Sequence, residues 1–193
     1  MELQVEAGVE VVELGPRGAD LAIRFGHGDW QNCQSQLFLR EYYYLLASPD
    51  WLARFAPQSI QDLHDKCLLQ HANAQGAGAS WEQLFAHFSC ARTTLLHTIR
   101  FDDSNLILQA ALRGHGLALE RHSLVADLVR EKKLQQVLQV GLKSARDYYL
   151  LSSDFSANTP EVRLVSEWLL QTAHDFIKTD SSVLAATQWC HSV

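Results

Sequence analysis

One stretch constrains the fold more than any other: FDDSNLILQAALRGHGLALERHSL, running from Phe101 to Leu124. An apolar run, LLHTIRF (95–101), leads into it. Asp102, Asp103 and Ser104 then offer N-cap side chains, and Leu106, Ile107, Ala110 and Ala111 recur at helical spacing. Gly114 is placed to end the helix, and Gly116 lets the chain turn into LALE. Strand, capped helix, glycine turn and strand together form the repeating unit of an α/β layer. The crowded helix start has two readings. Asp and Ser are ordinary caps, there to satisfy the first N–H groups. A helix start that faces a cleft also offers free N–H groups and a positive dipole end to a carboxylate or phosphate. Carboxylates at 102 and 103 repel an anion, so Ser104 Oγ is the better ligand contact.

The rest of the chain alternates in the same way. ADLAIRFG (19–26) predicts a buried strand ended by glycines, and REYYYLLASP (40–49) a second one rich in aromatics. Ser48-Pro49 is a helix-start signal for a helix through Trp51, Leu52 and Phe55. QDLHDK predicts a short helix and CLLQH (67–71) a strand, and after the loop ANAQGAGAS a short segment starts at Ser80 and ends near Phe88. Next come a helix over 122–133, a weak strand over 136–140 and the strand DYYLLS (147–152). The last long helix, 160–177, carries Val162, Val165, Trp168, Leu169, Thr172 and Phe176 on one expected buried face. Near the start, residues 1–5 suggest a short strand and VEVVEL (9–14) a short helix stopped by GPRG. The tail 178–193 has no evident packing partner and is expected to be mobile. The alternation argues α/β with a mostly parallel sheet.

Composition narrows the function. The 193 residues are 47% hydrophobic and 20% charged, enough for a proper core. A net charge of −6 with no dense basic run argues against direct nucleic-acid binding by this chain. No signal-peptide pattern opens the sequence and no apolar run reaches membrane-spanning length, so no membrane partner and a cytoplasmic location are expected. Cys33, Cys67, Cys90 and Cys190 lie far apart, as reduced structural thiols would. Cys67/His71 and His87/Cys90 are single pairs, short of the four convergent ligands that zinc wants, so no metal and no cofactor are expected. No nucleophile elbow is present, and GAGAS lacks the Lys-Ser/Thr of a phosphate loop, so no catalytic residue is named. Within Tyr148-Tyr149, strand alternation sends one ring to each face of its sheet.

Taken in order, ADLAIRFGHGDW, REYYYLLASPDWLARF, DLHDKCLLQH, SWEQLF, FDDSNLILQAALRGHGLALERHSL, YYLLSS and PEVRLVSEWLL resemble the effector-binding domain of LysR-type transcriptional regulators, in particular the glycine-cleavage-activator subgroup. The resemblance covers residues 1 to about 177. It implies a two-lobed, periplasmic-binding-protein-like (type 2) α/β fold with a small-molecule cleft. Lobe one would be 1–46 plus 147–177 and lobe two 48–145, with crossings near Ala47-Ser48 and Arg146–Tyr148. By motif position the implied effector contacts are Ser104, with Asp103 beside it, and Tyr148; Phe25, Gly26 and His27 form a further wall. The match starts inside the family's second strand. By the resemblance, the winged helix-turn-helix and the first strand–helix unit are expected to be missing from the matched region, and lobe one to be incomplete. The implied partners are an unidentified small-molecule effector, further copies of the intact protein as a homo-oligomer, and DNA bound by the full-length parent. Three other readings compete: a stand-alone solute-binding protein of the same fold, an α/β enzyme with an unrecognised site, and a partner-binding remnant using an exposed sheet edge.

Overall fold

The computed structural model describes residues 2–8, 10–72, 79–90 and 97–191. In chain order they form β1 (Leu21–Gly26), β2 (Gln34–Leu39), β3 (Tyr42–Ala47), α1 (Pro49–Phe55), a 3-10 turn (Ile60–Leu63) and β4 (Leu68–His71). Then follow α2 (Trp81–His87), β5 (Thr98–Phe101), α3 (Ser104–Leu112), β6 (Leu117–Arg121), α4 (His122–Arg130) and β7 (Gln135–Lys143). The chain continues with β8 (Asp147–Ser152), a 3-10 turn (Ser156–Asn158), α5 (Pro160–Thr179), α6 (Ser181–Ala186) and β9 (Gln188–His191). It divides into two compact units, Met1–Arg40 with Arg146–Ser181 and Glu41–Ala145 with Ser182–Val193.

The first unit is built on a three-stranded antiparallel sheet, β1-β8-β2. Central β8 sets Leu150 opposite Ile23 and Tyr148 opposite Phe25. On its other side β1 pairs with no strand among the described residues. The expected helix over 9–14 does not form in the described part, 10–14, and the short strand expected at the start is exposed coil from residue 2 on. Pro16 and its flanking glycines make a tight turn instead: Gly18 N–H donates to Gly15 O (3.0 Å) and Ala19 N–H to Glu13 O (3.0 Å), which draws Leu14 alongside Ala19. In α5 the buried stripe runs through Val162 and Ala173, and Trp168 stands 59% exposed with Leu164 at 61%. The expected face thus lies rotated from the true one, because Ala173 rather than Thr172 turns inward.

The second unit holds a six-stranded sheet in the order β5-β4-β6-β3-β7-β9. Strand alternation feeds two cores. Tyr43, Leu45, Ala47, Leu68 and Leu117 pack with Trp51, Leu63, Trp81, Leu84 and Phe85 from the α1/α2 side. Tyr44, Leu46, Leu69 and Ala118 pack with Ile107, Leu108, Ala111 and Val125 from α3 and α4. The sequence punctuation is realised in detail. Ser48 Oγ accepts from Trp51 N–H (3.2 Å) with Pro49 in the first turn of α1, and Ser80 and Gln83 form a reciprocal capping box on α2.

Taken together the sheets are not mostly parallel: the first is antiparallel throughout, and in the second β4 lies parallel to β5 and β6, and β7 to β9, whereas β3 runs antiparallel to both neighbours. Alternation of strands and helices fixes the layer class but not which strands become neighbours. β7 is longer than expected and bulged. Between Tyr44↔Gly141 and Leu46↔Gln136 it carries three more residues than β3, with Leu138 (φ 57°) and Gln139 (φ 51°) left-handed. The bulge lets Val137, Val140 and Leu142 all reach the same core. Residues 41–46 group with the second unit, where the sequence reading had assigned them to lobe one. The tail is ordered through His191: α6 follows α5, and β9 pairs with β7 from Val140↔Gln188 to Lys143↔His191. Its packing signal is Trp189, whose ring stacks on Tyr44 at 5.7 Å.

Candidate functional site

The helix start flagged in the sequence resolves into separate roles. Asp103 is the N-cap of α3: its backbone is extended and its Oδ1 accepts from Asn105 N–H at 2.6 Å. Ser104 stands at the first helical position, half-buried, and its hydroxyl reaches the carboxyl of Glu120 on β6. Asp103 is thus engaged with its own helix, while Ser104 looks toward a buried acid.

That acid belongs to a polar cluster the sequence reading missed. Glu120 is 4% exposed and Glu41, just before β3, is 2% exposed. Glu120 follows Ala118 at strand spacing, so it points to the α3/α4 side and stands opposite Tyr44 in register. Glu41 caps a different helix. The cap residue of α4 is Arg121, whose side chain makes no capping bond. Instead the Glu41 carboxylate, 82 positions earlier, accepts from Ser123 N–H (3.2 Å) and from the Ser123 hydroxyl, while also accepting from Tyr42 N–H (3.0 Å). Its negative charge at a helix N-terminus opposes the partial positive charge there. Arg121 N–H donates to Glu120 Oε2 (3.3 Å), and the buried His122 ring lies edge-on to Tyr44 at 5.4 Å.

Burial raises the Glu41 carboxyl above the ordinary range, against the hydrogen bonds from Ser123 and Tyr42 and the charge of His122. Burial also raises Glu120, against the bond from Arg121 N–H, the Arg121 charge and the Ser104 hydroxyl, and the neighbouring Glu41 pushes it further up. Burial disfavours the charged form of each carboxyl, and Glu41 adds a smaller like-charge push on Glu120. The signal for Glu120 was present in LALER: a charged residue at the buried parity of a strand whose first three residues are apolar.

On the first unit, Tyr148 faces Phe25 across the β1/β8 pair with ring centroids 5.0 Å apart. Tyr149 points to the opposite face and meets Trp30 edge-on at 5.4 Å, so the doublet divides between the two faces. Gly26 and Gly28 carry the turn after β1. A Cβ at Gly26 would lie 2.7 Å from the Trp30 ring, and one at Gly28 (φ +91°) 2.8 Å from the Tyr149 ring. His27 between them is exposed. The structure therefore brings Phe25 and Tyr148 together on one unit and Ser104 with Asp103 on the other. The first unit also carries an open groove of about 440 Å³ between its sheet and α5, lined in part by Gln34, Gln36, Ser152, Arg163 and Glu167.

Among the described residues no group of three or more His, Cys, Asp and Glu side chains is placed to hold a metal ion. His64 Nε2 lies 2.7 Å from Cys90 Sγ, 26 positions away. The four cysteines are free thiols, and burial pushes the Cys190 thiol up to about 11. Among the described residues no helix is long and apolar enough to cross a membrane.

Comparison with known proteins agrees with this architecture. The family model described as the LysR substrate binding domain matches residues 1–174. The glycine cleavage system transcriptional activator homolog of Haemophilus influenzae is 25% identical over 153 residues, which are 79% of this chain and 50% of that protein. The glycine cleavage system transcriptional activator of Escherichia coli is 24% identical over 155 residues, 80% of this chain and 50% of the relative. Among solved structures, the effector domain of the transcriptional regulator AmpR of Pseudomonas aeruginosa superposes with a TM-score of 0.65 at 25% identity. The match covers 83% of this chain and 75% of that one. The chain thus spans about half the length of the curated relatives it matches.

Proposed function

Because the chain belongs to the LysR substrate-binding domain family, we propose that it is the effector-sensing part of a LysR-type transcriptional regulator. The observation that carries the reading is the match of that family's model to residues 1–174. The proposed effector contacts are Ser104, with Asp103 at its side, on the second unit, and Tyr148, flanked by Phe25, Gly26 and His27, on the first. A small metabolite bound by the chain biases one arrangement of the intact cytoplasmic homo-oligomer on DNA. It does so only through the difference in its affinity for the alternative arrangements. The role is sensing rather than catalysis.

The test is a set of thermal melts of the chain with glycine, other amino acids, short-chain acids and aromatic acids. A compound at 100 times its dissociation constant stabilises the state it binds by about 2.7 kcal/mol. One compound should move the melt of the wild type and leave that of Ser104→Ala unmoved. Melts blind to the whole panel, or an equal shift in Ser104→Ala, would refute the assignment.

A further inference from the structure

We propose that the groove between α5 and the sheet of the first unit binds a small amino acid with an apolar side chain: Arg163 takes its carboxylate, Glu167 its ammonium group, and a leucine floor its side chain. The groove lies wholly within the first unit, and the proposal goes beyond the effector contacts assigned to Ser104 and Tyr148 and does not rest on them.

The lining follows from parity. Alternate side chains of a strand share a face. The register sets Leu21, Ser152 and Gln34 in one row across β1, β8 and β2, and Leu150 and Gln36 in the next row on that face. All five line the groove. Opposite them α5 presents Arg163, Ser166, Glu167 and Leu170, the i, i+3, i+4, i+7 spacing of one helix face. A helix that merely packs on a sheet closes this seam with apolar side chains. Here Gln34, Gln36 and Ser152 stand at the helix-facing parity and two charges meet them, so the seam stays open. Its 440 Å³ falls within the range of about 300–1,000 Å³ that small-molecule sites occupy. The apolar floor is Leu21, Leu150 and Leu170, and Leu150 is 5% exposed.

Much of the polar lining is uncommitted. Gln34 Nε2 donates to Asp154 Oδ1 (3.2 Å), and Ser166 Oγ donates to Val162 O (2.8 Å). The side chains of Arg163, Glu167 and Gln36 make no hydrogen bond or ion pair among the described residues. Arg163 and Glu167 are one helical turn apart, near enough to pair with each other, yet both line the groove unpaired. Opposite charges whose Cβ atoms lie about 5–6 Å apart match a molecule that carries a carboxylate and an ammonium on neighbouring atoms. A simple acid or a simple amine would satisfy half of the lining. The leucines beneath add a place for an apolar side chain, and the Gln36 amide can donate to the carboxylate or accept from the ammonium.

L-Leucine is the probe, with 4-methylpentanoate as its carboxylate half and 3-methylbutylamine as its amine half. Binding is read residue by residue as amide shifts in the full 193-residue chain labelled with 15N. Leucine should give saturable shifts at Gln36, Ser152, Arg163 and Glu167, and should bind about three- to tenfold more tightly than either half. Arg163→Gln should remove its advantage over the amine without weakening the amine itself. Glu167→Gln should remove its advantage over the acid without weakening the acid. Loss of fold would not produce that reciprocal pattern, and unchanged second-unit amides show that each variant is folded. Groove amides that stay unmoved at millimolar leucine would overturn the proposal, as would leucine binding no more tightly than its halves. Shifts centred on the Ser104 amide instead would move the amino acid to the effector contact and equally overturn the groove.

Discussion

Replacing Glu41 with alanine should unfold the second unit at distinctly lower denaturant. The magnitude follows from the contacts. Alanine removes the acceptor of three hydrogen bonds, from Tyr42 N–H, Ser123 N–H and the Ser123 hydroxyl. The hydroxyl can rotate to another partner, but the two backbone N–H groups cannot. A part-buried N–H left without an acceptor costs about 1–3 kcal/mol, and a lost helix cap about 1 kcal/mol, an overlapping term since Ser123 N–H belongs to both. Removing a carboxyl that resists burial, and its repulsion of Glu120, returns part of this. The expected net loss is about 2–4 kcal/mol. Glu41→Gln keeps one oxygen and should lose roughly half as much. Urea unfolding followed by tryptophan fluorescence reads the effect, because Trp51 and Trp81 are 2% and 1% exposed within the same unit. A double-mutant cycle with Ser123→Ala should return a coupling of about 1–2 kcal/mol. A loss below about 0.5 kcal/mol in Glu41→Ala would show that burying the carboxyl cancels its bonds, and the capping argument would fail.

Other outcomes follow from the same geometry. Because burial raises the folded Glu120 carboxyl above its unfolded value, its stabilising contribution is full in acid and is lost as pH rises through the folded value. Glu120→Gln should therefore show a shallower fall in stability than the wild type as pH rises above the ordinary glutamate range, and a parallel fall would contradict the assignment. Gly28→Ala places a methyl 2.8 Å from the Tyr149 ring at φ +91° and should cost the first unit about 2–4 kcal/mol, with loss of the near-ultraviolet signal of the Trp30–Tyr149 contact. Gly114→Ala, at φ +72° with Arg54 Nη2 3.0 Å and Ser48 Oγ 3.2 Å from the new carbon, should cost about 1–2 kcal/mol in the second unit. Cys190, fully buried and with its thiol pushed up to about 11, should resist iodoacetamide in the native protein while half-exposed Cys33 is labelled; early alkylation of Cys190, mapped by mass spectrometry, would show that β9 opens.

The legible parts of the fold were those written in local chemistry. Ser48-Pro49, Ser80 with Gln83, and Asp103 each name a helix start by a side chain that caps it, and Leu21–Gly26, Tyr42–Ala47 and Asp147–Ser152 are apolar enough to read as strands. β2 escaped notice because it pairs only with β8, and QSQLFL leaves its first four side chains exposed, so no apolar alternation marks it. β9 escaped because its partner, β7, lies more than forty positions back, beyond any local window. Of the proposed effector contacts, Ser104 was singled out from the helix start, and Tyr148 from strand alternation together with family resemblance. Glu41 was not readable in the same way: its purpose is to cap α4 across 82 positions, and only the pairing of β3 with β6 creates that need.

The order in which the two units are assembled also has a consequence during synthesis. Each unit is made of an early and a late piece of chain: the first waits for β8 and α5, and the second receives β9 only after residue 187. A ribosome that has reached residue 100 has therefore completed neither. β1 and β2 emerge without the strand that joins them, and β3 waits for its neighbours on both sides. Both sheets close from the late end of the chain, so the half-made protein exposes strand edges and apolar faces that the finished one covers. Nascent chains stalled before Asp147 should accordingly depend on chaperones far more than the completed chain does.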